Sequence, residues 1–432
     1  MKTPKFLIAA FVAAGLAGSA NAQTVINITG ATAFRQAAHQ AILSSLTSVT
    51  YGYTSTNINN ASSAIFKGTL GNAPVTVRTT WSGSVAGVRA IVNQNNSVSY
   101  IAANATVTGG NGTASMTATE STTANRIAFA DNTQSNTPFN AVALSGTPVG
   151  AIVFVPVTNE GSPLAGVTQD GIQTGAASIT TLQLRALQTT GSTQLQLISG
   201  NTNDNGKFAY WTGRNSLSGT RAIYLAESGV GAGNAVQQYL PQPWNTNSTI
   251  SGLKLWPTSD ANNANNTINV WGPVVAGGGG FDSGGVAARA FQATMNATNV
   301  NIIDEADEVL GGLPGASLAL VSVISAQDAE DVQVGGGEVL AYNGVYIEPR
   351  SLALGGLNAT DKLKVANGQY TLWSNEYLYY RPSGLNAEEL ALVAALEANV
   401  PPNIGGNGLR LDTEMNVSRS ADGGSLTIGN IP

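Results

Sequence analysis

Twice near its N-terminal end the chain passes from a short apolar strand, through a turn of small residues, into an amphipathic helix. No other feature limits the fold as much. Val25-Ile26-Asn27-Ile28 leads through Thr29-Gly30-Ala31 to a helix with Phe34, Ala38, Ala41, Ile42 and Leu46 on one side and Thr32 placed as its cap. Val75-Thr76-Val77-Arg78 leads through Trp81-Ser82-Gly83-Ser84 to a helix carrying Val88, Ile91 and Val92. Repeated units of this kind predict an α/β fold on a mostly parallel sheet.

Arg126-Ile127-Ala128-Phe129-Ala130 is a third strand, ending at Asp131, and the polar, alanine-rich span 93–125 before it reads as an insertion. Gly150 to Val157 is a continuous apolar run, the pattern of a strand buried on both faces. Downstream, Ile179 to Leu187 and Val286 to Met295 read as helices, Ala316 to Ile324 as a buried strand and Tyr370 to Tyr380 as an aromatic strand. Asn386 to Asn399 is a helix with a Glu-rich first turn, which suits the positive end of its dipole. Trp256 to Gly280 has no helical period and reads as loop or small strands, and the Gly/Asn-rich tail shows no strong pattern. No repeat at solenoid spacing is present.

Residues 1–22 have the form of a secretory signal. Lys2 and Lys5 precede an apolar stretch, Phe6 to Ala17, and Ala20-Asn21-Ala22 is a small-residue cleavage site before Gln23. No later segment reaches about 18 uninterrupted apolar residues, so an exported, soluble chain is expected, periplasmic or secreted. The 432-residue sequence has no cysteine, which removes disulfides, thiolate metal sites and cysteine nucleophiles together. Without the two signal lysines, 17 basic residues face 25 acidic ones, a net charge of −8, and no basic stripe exists to hold nucleic acid.

Most candidate chemistry is weak. His39 is the only histidine and sits within the first helix, where packing explains it better than catalysis or metal binding. Asp304-Glu305-Ala306-Asp307-Glu308 and Asp328-Ala329-Glu330-Asp331 lack calcium-loop spacing and read as solvated surface. The glycine run 277–280 lacks the Lys-Ser/Thr of a phosphate loop. No metal or cofactor is implied, and no activated nucleophile or base is visible, so no reaction is expected.

Three strand-to-helix turns remain: Thr29 to Phe34, Ser82 to Gly87, and Ser218-Gly219-Thr220 four residues after Arg214. The first amides of a helix have no partner within it and carry partial positive charge, so a helix start can hold an anion. Ser218 and Thr220 add hydroxyls and Arg214 a bidentate fork. An ordinary serine N-cap beside a surface arginine is the alternative. With Asp131 at another strand end, such turns converge in α/β sheets on one crevice.

These segments, in this order, resemble the substrate-binding proteins of phosphate ABC transporters, within the type II periplasmic binding protein superfamily. Ile28 to Phe34 resembles that family's opening Gly-Ala-Thr/Ser-Phe turn, and Gly83 to Val88 its Gly-Ser-Gly-rich turn, with Ser84 at the ligand-binding serine. Phe129-Ala130-Asp131 resembles the strand end that supplies its phosphate-binding aspartate. Arg214 with Ser218-Gly219-Thr220 matches its Arg-x-x-x-Ser-Gly-Thr spacing, and Tyr370 to Tyr380 resembles its late returning strand. Ala33 stands between Thr32 and Phe34 where the family has Thr or Ser directly before Phe, and Val85 and Ala86 replace small, flexible residues.

The resemblance implies a two-lobed α/β fold, mixed sheets flanked by helices, with a ligand cleft between the lobes. Lobe one would comprise 24–155 and 340–432, lobe two 156–339, with insertions near 93–125 and 240–310. It further implies a monomeric exported protein that binds phosphate or a similar tetrahedral oxyanion for an ABC permease. The ligand-binding residues would be Thr32, Ala33, Phe34, Ser84, Asp131, Arg214, Ser218, Gly219 and Thr220. An exported structural or cell-surface protein that kept the fold without transport is the alternative. A secreted phosphatase, third, would need a metal cluster or nucleophile that the sequence does not offer.

Overall fold

The computed structural model describes residues 23–165, 177–234, 236–245, 247–256, 279–349 and 356–429. The signal segment and most of the 256–280 stretch lie outside the described residues.

The spine is a 12-stranded sheet organised by one long strand, Ser145–Thr158. Ser145 to Val153 pairs with Trp373–Tyr380, whereas Phe154 to Thr158 pairs with Leu318–Ser325. One uninterrupted apolar strand therefore serves both halves of the molecule, as its burial on two faces requires. On the first side follow Ile127–Ala130, Thr24–Gly30, Ala73–Thr80, Ser63–Leu70 and Thr47–Tyr53; on the second, Phe208–Trp211 and Ser192–Gln194. The fold is thus two-lobed and α/β, with sheets flanked by helices.

The sheet is mixed, not mostly parallel as the βα rhythm predicts. Thr24–Gly30 runs parallel to both neighbours, and Phe208–Trp211 runs parallel to Leu318–Ser325. The remaining pairings along the path are antiparallel. Thr47–Tyr53 is a polar, half-buried strand and Ser63–Leu70 buries Ala64, Ile65 and Phe66; both join Ala73–Thr80 in a meander, in which sequence neighbours pair antiparallel.

Nine α-helices occur among the described residues: α1 Arg35–Ser45, α2 Ser84–Val92, α3 Thr181–Thr190, α4 Gln196–Ser199, α5 Gly219–Glu227, α6 Gly284–Phe291, α7 Ala326–Val334, α8 Ala359–Ala366 and α9 Ala387–Asn399. Thr32 does not cap α1. Phe34 occupies the cap position and, having no side-chain acceptor, leaves it without a side-chain bond; its ring packs against Phe129 with centroids 6.2 Å apart. α6 stops at Phe291, short of Met295, since Thr294–Met295 pairs with Thr249–Ile250. Asn386 starts α9 with a full capping box.

The 93–125 insertion is anchored by Arg78, which bonds the Ile101 carbonyl and Glu120 and lies 5.3 Å from the Tyr100 ring centroid. His39 is fully buried between the Ile58 carbonyl (2.8 Å), Thr79 Oγ1 (2.8 Å) and the Trp81 indole N–H (2.9 Å). Burial lowers its pKa to about 4. It is a packed histidine.

Candidate functional site

Two helix N-termini, one from each half of the sheet, meet over the end of the Ile127–Ala130 strand. α2 begins after Gly83, whose φ of +107° is one that glycine adopts at little cost. Gly83 donates to the Gly30 carbonyl at 2.9 Å, tying the two small-residue turns together. α5 begins after Ser218, whose hydroxyl accepts from the Arg221 amide at 3.3 Å. The sequence Ser-Gly-Thr thus supplies a conventional cap and, in Gly219, a first residue without a side chain.

That bareness is used. A Cβ on Gly219 would fall on the Asp131 carboxylate and the Ser84 hydroxyl. Ser84 Oγ in turn donates to Asp131 Oδ1. Ser84, Asp131 and Gly219 are therefore in mutual contact. Burial raises the Asp131 pKa to about 6, against the opposing pull of the Ser84 hydrogen bond and the Arg214 charge.

Arg214 is buried, 2% exposed, which excludes the surface-arginine alternative. Its Nε donates to the Phe281 carbonyl at 3.1 Å, one Nη to the Asp282 carbonyl at 2.9 Å and the other to Thr220 Oγ1 at 3.5 Å. Its own amide donates to the Tyr224 hydroxyl at 3.3 Å. Burial lowers its pKa, and the charges of Asp328, Asp131 and Asp282 oppose that.

The junction also holds an acceptor of its own. The Leu217 carbonyl receives the Val85 amide at 3.1 Å and the Ala86 amide at 3.3 Å. A carbonyl oxygen from one half thus occupies the amides at the head of the other half's helix, where an oxyanion oxygen would be received.

Thr32, Ala33 and Phe34 stand apart from this contact group. They line an adjacent cavity of about 50 Å³ with Gln327 and Asp328 at the start of α7 and with Asn407, room for a few waters. Asp328 accepts from the Ser325 hydroxyl at 2.6 Å and lies over the first residue of α6, Gly284. It is not the solvated surface that its acidic cluster predicts, because α7 turns its first acidic residue inward toward Arg214. The Asp304 to Glu308 cluster is an exposed turn in which Asp304 Oδ1 receives two backbone amides.

One residue of the junction goes unread in the sequence. The register of Trp373–Tyr380 sets Tyr377 opposite Ala130, which brings the neighbouring Glu376 within electrostatic reach of Asp131. Glu376 is fully buried, and neither carboxyl oxygen has a hydrogen-bond partner among the described residues. Burial, and secondarily the Asp131 charge, push its pKa well above the usual carboxyl range. A glutamate within a strand whose residues are nearly all buried, directly before the aromatic run Tyr377 to Tyr380, is the signal that would have found it. No cluster of three or more metal-ligating side chains occurs among the described residues.

Fold and junction define a class: a two-lobed α/β protein whose halves share one strand and meet at a polar, helix-headed crevice. Solved structures similar to the chain include one described as a phosphate ABC transporter substrate-binding protein with bound phosphate from Clostridium perfringens. It is 11% identical, with 90% of this chain and 99% of that one covered and a TM-score of 0.41. PstS from Borrelia burgdorferi is 11% identical over 90% of this chain and 99% of its own, with a TM-score of 0.35. An ABC-type phosphate transport receptor from Vibrio cholerae is 10% identical over 87% and 94%, with a TM-score of 0.39. No family model and no curated protein matches the chain.

Proposed function

We propose that this is an exported solute-binding protein whose lobes close on phosphate or a related tetrahedral oxyanion for an ABC permease. The observation that carries the reading is the meeting of the α2 and α5 N-termini at the Ser84, Asp131 and Gly219 contact, with Arg214 buried beside it. Helix amides, hydroxyls and one guanidinium are the donors that a small oxyanion needs, and none requires a metal. The proposed lobes are 24–155 with 340–432, and 156–339. Opening them would withdraw Leu217 from the α2 amides and free the Ser218, Gly219 and Thr220 turn, with Thr32, Ala33 and Phe34 at the adjoining rim.

Asp131 supplies selectivity. Ionised, it accepts a hydrogen bond from a protonated phosphate and repels sulfate, which has no proton to give. Isothermal titration with phosphate, arsenate and sulfate tests this. Binding of the first two with weak sulfate binding is expected above pH 6, the gap narrowing as pH falls and Asp131 takes a proton. Absence of heat with all three removes the oxyanion reading.

The Leu217 carbonyl favours a second reading. A junction that satisfies its own helix amides can remain closed without ligand, as an exported structural or cell-surface protein would require. An unchanged lobe separation across all three titrations would decide for it.

A further inference from the structure

The C-terminal segment, patternless in sequence, touches both lobes beside the crevice. Asp422 Oδ2 accepts from the Thr133 amide at 2.8 Å, the Thr133 hydroxyl at 2.9 Å and Asn136 Nδ2 at 3.0 Å. Thr133 and Asn136 belong to the loop that follows Asp131. The Asn136 amide is shared with the Ala222 carbonyl of α5, in the other lobe, at 3.2 Å. Gly423, at φ +65°, lies against the backbone of Ala226 and Glu227 near the end of α5, where any Cβ would overlap the main chain. Arg419 completes the arrangement. It pairs with Glu227 at 3.3 Å, donates to the Thr371 carbonyl at 2.8 Å and stacks 4.4 Å from the Trp373 ring centroid.

One short turn therefore grips the Asp131 loop on one side, α5 on the other, and the strand that leads back into the first lobe. α5 is the helix whose N-terminus meets Asp131, so its C-terminal half is held by the turn while its head closes the crevice. We propose that the turn from Arg419 to Gly423 is a clasp that sets the opening of the two lobes, with Asp422 as its positioning residue. Asp422 touches no part of the crevice itself. It acts by holding the Asp131 loop, through Thr133 and Asn136, at the distance from α5 at which Ser84, Asp131 and Gly219 come together.

The test needs no ligand. The chain has no cysteine, so Leu182→Cys on α3 and Leu390→Cys on α9, both on exposed residues, allow a label on each lobe. Interlobe distance is measured by single-molecule energy transfer in this background, then with Asp422→Ala, Asn136→Ala and Gly423→Val added singly. The clasp predicts a longer-distance population in each variant, its share rising about tenfold, the scale of one or two lost hydrogen bonds. Melting temperature is recorded alongside, since a merely structural role lowers it without lengthening the distance. Asn136 and Asp422 are partly exposed, so these variants fold even if Gly423→Val does not. Distance distributions for Asn136→Ala and Asp422→Ala that superimpose on the background overturn the clasp. Phosphate added afterwards addresses the oxyanion reading separately: no response in the background counts against that reading and leaves the ligand-free distances to decide the clasp.

Discussion

At the scale of single residues, the junction rests on two side chains that burial has altered in opposite senses. Asp131 has its pKa raised from 3.8 to about 6. A raised acid contributes stability that is fully present below pH 3.8 and lost as pH rises through about 6. Asp131→Asn cannot ionise and escapes that loss, so between pH 4 and pH 7 it gains on the wild type by on the order of 3 kcal/mol. Urea unfolding at both pH values measures this; a difference independent of pH removes the buried-carboxylate account. Arg214 is the second. Arg214→Ala removes the guanidinium donor to the Asp282 carbonyl and one of the two donors to the Phe281 carbonyl, which keeps the Asn215 amide at 3.0 Å, and lowers stability by roughly 2–4 kcal/mol, not the 0.5 or less of a surface residue. Under the oxyanion reading it weakens phosphate binding ten- to more than a hundredfold, and Arg214→Lys recovers only part because a point charge cannot fork. Titration of folded Arg214→Lys at matched stability separates the two effects. Ser218 and Asp131 were legible because each stands at a helix start or strand end, where periodicity breaks, and Arg214 because of its four-residue spacing before Ser218. Glu376 was not: a strand's alternation tells which face a residue shares but not which distant carboxyl it will meet across the sheet.

At the scale of elements, the decisive contact is helix head against helix head, and glycine makes it possible. Gly219→Ala adds one methyl group in a helical conformation that alanine favours, by about 1 kcal/mol in a helix interior. The same methyl falls on Asp131 and Ser84. The expected outcome is a normally folded α5, seen as unchanged far-ultraviolet dichroism, with the two heads forced apart and anion affinity reduced at least tenfold. Full affinity would mean that the heads do not meet in solution. Elements with a strong apolar period were readable from sequence: α1, α2, α9 and the two buried strands. Thr47–Tyr53, Ser63–Leu70 and the C-terminal turn were not, for a common reason. They are held by pairing with strands already placed, or by polar contacts to distant loops, and such contacts leave no period behind.

At the scale of the whole molecule, buried titrations offset one another. His39, lowered to about 4, gives stability that is present above pH 6.5 and lost as pH falls through about 4. Asp131 runs the other way over nearly the same window. The wild type should therefore be flatter in stability between pH 4 and 6.5 than either His39→Gln or Asp131→Asn. A wild-type profile steeper than both would show that other groups dominate. Export, if it occurs as the N-terminal segment predicts, leaves Gln23 first, and the intact mass of secreted protein checks that directly.

The Leu217 carbonyl on the Val85 and Ala86 amides has a kinetic consequence. It is a tethered competitor, present at an effective concentration fixed by the chain and not by the solution. An incoming anion cannot outpace it by abundance alone; it must wait for the turn to withdraw. In stopped-flow mixing, the observed rate should climb with anion concentration and then level off at the rate of that withdrawal. Leu217→Gly, which loosens the turn, should raise the plateau and leave the initial slope nearly unchanged. A rate that stays linear at every concentration would mean that the carbonyl yields to the anion directly, with the lobes still closed.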